Sequence, residues 1–373
     1  MNFALLGADE TTLPMARAAT QAGHRVTAAF AVGNHRPSLE QLIPDLQFTS
    51  SWEAMLDGGK ADAVIVASGE EEERFEQLRG LLLAEVPALV AFPSAVSILP
   101  HYELEAVRED TGGLLSAYPA LRSHPAIARI REAMQLDSAE DRDAKDSKNH
   151  QPLRQIVVDR SFPRRTRDRV IEQFIRDVDW LRALCGELLQ VNAMAPGVSA
   201  VEQNPQYDGL GVQLSGPSEV IVRWSAGPVE EASGAKIVLW GDSAKATLLI
   251  SDDQQPWKLN SQEGSPEKET EAEEGGEDDL PRDSWEEEFP EWDPWEASIE
   301  RLVDAMKGDS VAPTWLDSVR ALELAEAVER SLIRRRMIEL RVGEHSEEAA
   351  FKGTMAVAGC GMLLAMLVVF LLS

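Results

Sequence analysis

Short apolar runs alternate with amphipathic stretches through residues 1–120, and no other feature of the chain narrows the fold as far. Phe3-Ala4-Leu5-Leu6 reads as a strand, Thr11 to Ala22 as a helix ended by Gly23, and Val26 to Ala31 as a second strand. Ala63-Val64-Ile65-Val66-Ala67 is continuously apolar, as expected of a strand covered on both faces. Glu71–Ala84 is helical, Ala88–Ala91 a strand, Leu99–Glu109 a helix, and Leu114–Ala117 a strand. Strands alternating with helices imply a parallel sheet with right-handed crossovers. The expected fold class is therefore α/β, with a doubly wound, Rossmann-like domain over residues 1–120.

The pattern changes after Pro119. A helix over Pro125–Met134, a polar loop over Asp137–His150, a strand at Gln155–Asp159 and a long helix over Arg169–Leu184 come first. Apolar runs follow at Leu188–Val191, Gly211–Leu214, Val220–Trp224, Ile237–Trp240 and Ala246–Ile250 with no helix between them. They imply an α+β domain over residues 121–342 with a mostly antiparallel sheet, closed by helices over Trp295–Lys307 and Trp315–Arg335 and a short strand at Met337–Leu340.

Charge is concentrated in one place. The chain carries a formal net charge of -28, and Glu263–Glu291 holds fourteen acids against two bases. A stretch with that balance buries too little apolar surface to offset the entropy of ordering, so an acidic, disordered insertion is expected at about 252–294. Trp285, Phe289, Trp292 and Trp295 at its end either dock on the body or meet a partner. The overall charge excludes nucleic acid as a partner, because phosphate contact relies on Lys and Arg.

After a linker over residues 343–353, Thr354–Ser373 contains no charge and no proline. A helix of this length matches the hydrocarbon thickness of a bilayer. A buried core helix is the alternative, but core helices keep a polar stripe and this segment keeps none. Arg334, Arg335, Arg336, Arg341 and Lys352 all precede it, so a single-pass C-terminal anchor with a cytoplasmic N-terminal body is expected. The first residues, MNFALLGADE, lack the basic start of a signal peptide. Cys185 and Cys360 make no disulfide framework, and no metal-ligand spacing occurs.

Four stretches, in order, resemble the glucose-fructose oxidoreductase/inositol dehydrogenase (Gfo/Idh/MocA) family. They are Ala61–Ser68, Ala117–Ala126 (where the family often reads Arg-Phe-x-Pro), Ile175–Gly186 and Val319–Ser331. The resemblance implies hydride transfer between NAD or NADP and a sugar- or inositol-like substrate. It places cofactor contacts at Gly7, Asp9, Thr12, Ser68 and Pro93, and substrate or anion contacts at Arg122, Arg164, Arg165 and Arg169. The expected partners are the bilayer through Thr354–Ser373, a small anionic or sugar-like ligand, and a second copy of the chain in a homo-oligomer.

The departures from the family pattern are as informative. The family's Gly-x-Gly-x-x-Gly reads Gly7-Ala8-Asp9-Glu10-Thr11-Thr12, so Asp9 puts a Cβ and a carboxylate where a glycine admits pyrophosphate. Asp9 can equally cap the next helix with Thr11 or Thr12. No acid follows the second strand, which reads Phe30-Ala31-Val32-Gly33-Asn34; Arg36 is either a 2′-phosphate contact or solvated. The family's catalytic lysine aligns with Phe92 and its histidine with Arg176. Arginine keeps its proton, so Arg176 cannot act as a base. Asp177 and Asp179 remain, either as proton acceptors or as helical partners of Arg176 and Arg182. Arg160, Arg164, Arg165, Arg167 and Arg169 form either an anion fork, a solvated face, or a dock for the acidic insertion. Two readings follow: an enzyme with weakened use of NAD(P), and a non-catalytic scaffold or anionic-ligand sensor at a membrane that uses no cofactor.

Overall fold

The computed structural model describes residues 1–56, 61–69, 71–91, 98–118, 121–134, 136, 153–196, 206–229, 234–242, 244–251, 256–263, 284–290, 292–308 and 314–340. One compact unit runs from Met1 to Ile338. The linker at 343–353, the expected membrane segment at 354–373, and the site positions Phe92 and Pro93 lie outside the described residues. Among the described residues no helix is long and apolar enough to cross a membrane.

The first sheet is built from β1 (Asn2–Leu6), α1 (Thr12–Gln21), β2 (Arg25–Phe30), α2 (Arg36–Leu42), β3 (Gln47–Phe48), β4 (Ala63–Val66), α3 (Glu71–Leu83), β5 (Ala88–Ala91), α4 (Leu99–Thr111) and β6 (Leu115–Tyr118). Its strands run parallel in the order β3-β2-β1-β4-β5-β6. This is the Rossmann-like sheet that the alternation implies. Strand order reverses between β1 and β4, so the carboxyl ends of those two strands form the crevice where such sheets bind ligands.

Side chains of successive strand residues leave opposite faces, and each face here has its own core. Phe3 and Leu5 join Met15, Ala19 and Ile65 on one face; Ala4 and Leu6 join Val64, Val66, Leu78 and Leu82 on the other. Every residue of β4 is buried, which is why its sequence reads as an unbroken apolar run.

A 3-10 turn (Leu121–Ser123) and α5 (Pro125–Ala133) lead into the second sheet. That sheet uses β7 (Leu153–Phe162), β8 (Gln190–Met194), β9 (Leu210–Ser215), β10 (Ile221–Pro228), β11 (Gly234–Gly241), β12 (Ala244–Ser251), β13 (Trp257–Glu263) and β14 (Ser284–Phe289). The order is β14-β13-β12-β11-β7-β10-β9-β8. Neighbours are antiparallel except β7 and β10, which run parallel, so the sheet is mixed. One face is covered by α6 (Arg167–Cys185) through Val170, Phe174, Val178 and Leu181. After β14 come α7 (Pro294–Met306) and α8 (Trp315–Arg334).

Two expectations need correction. The stretch 252–294 is not disordered throughout: β13 and β14 lie within it and extend the second sheet, while 264–283 lies outside the described residues. Its aromatics dock. The His124 ring stacks on Trp257 at 3.8 Å between centroids and meets Trp292 at 4.5 Å and Phe289 at 5.5 Å. Trp285 lies under the Arg129 guanidinium at 4.3 Å, and Trp295 meets Tyr118 edge-on at 6.0 Å. The second correction concerns α7. It does not close the second domain; it lies on α1, β5 and β6, and Ile299, Leu302 and Val303 belong to the first sheet's core.

Leu259 in β13 is fully buried. We therefore expect Leu259→Ala to cost about 2–5 kcal/mol in denaturant unfolding. A loosely held insertion would instead show a change within about 0.5 kcal/mol.

Candidate functional site

The crevice between β1 and β4 is where the fold would place a dinucleotide, and the chain fills it with its own charges. Asp9 Oδ1 accepts from Thr11 N at 2.8 Å and from Thr11 Oγ1 at 2.5 Å. Asp9 Oδ2 accepts from Ser68 N at 2.8 Å, so one carboxylate joins the loop after β1 to the end of β4. Thr12 Oγ1 accepts from Asp9 N at 2.7 Å and donates to Asp9 Oδ1 at 3.3 Å. Burial works to raise the Asp9 pKa, but the bonds from Thr11 and Ser68 outweigh it and leave it below the ordinary value.

Arg74, in the first turns of α3, occupies the rest of the mouth. Its Nη1 donates to Gln77 Oε1 at 2.8 Å and to the Leu6 carbonyl at 3.4 Å, and its Nη2 to the Ser68 carbonyl at 3.3 Å. A Cβ on Gly7 would stand 2.5 Å from Arg74 Nη2, and one on Gly69 would clash with the same nitrogen. Gly7, at φ +79°, thus makes room for the guanidinium. Burial lowers the Arg74 pKa, with Glu73, Tyr118 and Asp9 pulling it back up.

Anion binding at such a turn needs backbone N–H groups aimed outward. Here the Thr11 N–H goes to Asp9 Oδ1, the Thr12 N–H to the Asp9 carbonyl at 3.2 Å, and Pro14 has none. The Thr11 and Thr12 N–H groups are therefore not free to hold a pyrophosphate. At the other end β2 is followed by Ala31 at φ +57° with no acid, and Arg36, the alternative contact, donates to Glu40 at 2.8 Å and lies over the Phe48 ring at 4.2 Å.

The charged side chains of α6 are also paired within the chain. Asp177 is fully buried and its carboxylate is saturated. It accepts from Arg160 Nε at 2.9 Å, Arg160 Nη2 at 2.7 Å, Gln173 Nε2 at 3.0 Å and Trp224 Nε1 at 2.8 Å. Asp179 forms an ion pair with Arg122 Nε at 3.0 Å, whose N–H is not aligned on the oxygen, and Arg122 Nη1 reaches Asp317 at 3.3 Å. Burial opposes the Arg122 charge, but Asp179 and Asp317 hold its pKa above the ordinary value. Arg182 pairs with Glu187 at 2.5 Å and Asp317 at 3.4 Å. Arg176 bonds Glu172, one turn back, at 2.6 Å. The helical pairing expected of Asp177 and Asp179 is thus replaced by partners on β7, on β10 and in the turn before α5.

The arginines between β7 and α6 have separate partners. Arg160 is buried on Asp177, Arg165 donates to the Tyr207 carbonyl at 2.7 Å, and Arg167 pairs with Glu329. Arg164 and Arg169 are exposed. Two residues that the sequence did not flag matter most. Arg74 follows three glutamates at the start of α3, and Gly69 before it allows its close approach. His124 caps α5 by accepting Ala126 N at 3.0 Å.

No protein-family model matches the sequence, and no curated protein matches it. Solved structures do. UDP-N-acetylglucosamine 3-dehydrogenase GnnA from Acidithiobacillus ferrooxidans is similar at TM-score 0.68 and 17% identity, over 89% of this chain and 97% of that one. A myo-inositol dehydrogenase from Corynebacterium glutamicum matches at 0.65 and 16%, over 91% and 99%. An aldose-aldose oxidoreductase from Caulobacter crescentus matches at 0.67 and 16%, over 91% and 99%. The chain has the fold of Gfo/Idh/MocA-type oxidoreductases. At these identities the likeness is one of fold. Set on that fold, the Asp9–Arg74 pair stands where the nucleotide crevice lies.

Two measurements check this anatomy. Asp177→Ala leaves Arg160 buried without its carboxylate and is expected to cost about 3–5 kcal/mol. Burial pushes His101 down to about 4 and His124 to about 3, against 6.5 for a free imidazole. Between those values the unfolded chain binds protons that the folded chain refuses, so stability is full above pH 6.5 and falls as pH drops toward 4 and 3. At pH 5 the loss should be about 2 kcal/mol per histidine. His124→Asn keeps a cap and removes one imidazole, so its melting temperature should fall less between pH 7 and pH 5 than that of the native chain.

Proposed function

We propose that this protein is a non-catalytic relative of the Gfo/Idh/MocA-type oxidoreductases, a binding module that has given up the dinucleotide. The reading is carried by the Asp9 carboxylate, which takes the Thr11 and Ser68 N–H groups while Arg74 covers Gly7 and Gly69. A pyrophosphate entering there would have to displace a carboxylate from its hydrogen bonds and would meet its charge. The described residues of α6 also offer no free base for proton transfer. Arg176 is always charged and is tied to Glu172, and Asp177 has no free lone pair directed at a substrate. The fold neighbours are named for UDP-N-acetylglucosamine, myo-inositol and aldoses, so any surviving cleft chemistry would concern sugars or polyols.

The uncharged segment Thr354–Ser373, with basic residues before it, supports a further element of the proposal: attachment of the body to a membrane. Truncation before Gly353 should then release the protein from the membrane fraction, whereas a full-length protein that stays in the aqueous phase without detergent counts against the anchor.

Calorimetric titration with NAD(H) and NADP(H) tests the main reading. Binding weaker than about 1 mM, near 4 kcal/mol, is expected for all four. Micromolar affinity for any of them would restore the enzyme reading.

A further inference from the structure

A cavity of about 520 Å³ opens beside α7, lined among others by Ser123, Trp292, Glu296, Glu300 and Arg301. None of these residues is Asp9, Arg74 or a hydrogen-bond partner of either. Its volume lies within the range of small-molecule sites. What sets it apart is the state of Arg301. Arg301 Nη2 donates to Ser116 Oγ at 2.9 Å and Nη1 to Ser123 Oγ at 3.4 Å, while Nε is buried with no acceptor. Among the described residues no carboxylate pairs with it. Two hydroxyls satisfy hydrogens but do not neutralise charge. Burial accordingly pushes the Arg301 pKa down to about 10; Asp179 and Asp317 oppose this and Arg122 adds to it. A guanidinium built into a cavity wall without its counter-ion is a place for an anionic group from solution.

The carboxylates at the cavity decide what carries that group. Asp293 is engaged in capping α7, where it accepts Trp295 N at 2.8 Å, and Asp304 pairs with Lys307 at 3.0 Å. Glu296 and Glu300 stand one turn apart on α7, both exposed, a like-charge pair that a cation relieves. We propose that this cavity binds a small zwitterion of the α-amino-acid class, with its carboxylate on Arg301 and Ser123 and its ammonium at Glu296 and Glu300. Trp292 supplies the apolar wall for the side chain. Inorganic phosphate would meet both glutamates, a diamine would meet Arg301, and a neutral polyol would leave both charges unanswered.

The test is calorimetry on the full chain with L-phenylalanine and L-leucine, set beside 3-phenylpropanoate, which lacks the ammonium, phenethylamine, which lacks the carboxylate, and inorganic phosphate. At least one amino acid should bind, and removing either charge should weaken binding about tenfold or more. Arg301→Met should abolish amino-acid binding without lowering the melting temperature, because it removes a part-buried charge with which no described carboxylate forms an ion pair. Glu300→Gln should weaken amino-acid binding while leaving 3-phenylpropanoate unchanged or tighter. If Arg301→Met does not fold, the ratio of L-phenylalanine to 3-phenylpropanoate affinity in Glu300→Gln decides alone, and an unchanged ratio rejects the site. The proposal is also overturned if neither amino acid binds, if phosphate binds more tightly than both, or if Arg301→Met binds them as the native chain does. None of these outcomes depends on whether NAD(P) binds in the crevice.

Discussion

The carboxylate of Asp9 ties the loop after β1 to the end of β4 and sets the character of the first domain. In an open parallel sheet these two strand ends diverge, and the gap between them is where ligands enter. Asp9 spans the gap with hydrogen bonds to Ser68 N on one side and Thr11 on the other. Arg74 packs on Gly7 and Gly69, where an added Cβ would lie within 2.5 Å of its Nη2. The arrangement puts a carboxylate at the start of a helix, where an external anion would sit, but this one is covalently built in. An intramolecular anion needs no translational entropy to bind, so a free dinucleotide competes from a disadvantage.

In the second domain, too, charged side chains are held by internal partners. Asp177 joins α6 to β7 and β10 through Arg160 and Trp224, and Asp179 joins α6 to Arg122 in the turn before α5. Buried pairs of this kind add little net stability over apolar packing, yet breaking one is costly, so they fix the relative placement of the elements they join. The arginines that flank α6 are spread over Asp177, Tyr207 and Glu329, so they supply structure before they supply a ligand site.

Much of the architecture was legible because the apolar pattern is local. β1, β4, β5 and β6 appear as runs whose length and composition leave little choice, and α6 shows its 3.6-residue period. Two partners of Asp177, Arg160 and Trp224, lie outside its own helix, where spacing along the chain gives no sign of them. The better signal was phase. Arg160 stands in step with Ile156, Val158 and Phe162 on the buried face of β7, and Asp177 in step with Val170, Phe174 and Leu181 on α6. A charge in phase with the core demands a partner from another element. β13 and β14 were hidden by the acidic composition around them, although Trp285, Glu287 and Phe289 alternate with exposed Ser284, Glu286 and Glu288 as a strand requires. The place of α7 on the first sheet, and of Arg74 in the crevice, came from tertiary contacts that no local pattern encodes.

The account rests on Asp9 and Arg74 acting as occupants of the nucleotide crevice and not as parts of a working cofactor site. The most direct measurement is NADH fluorescence titration of the native chain beside an Asp9→Gly, Arg74→Ala double variant. Opening the crevice should raise NADH affinity by about tenfold or more over a native chain that scarcely binds. A native chain that binds NADH tightly, and loses that affinity in the double variant, would contradict it.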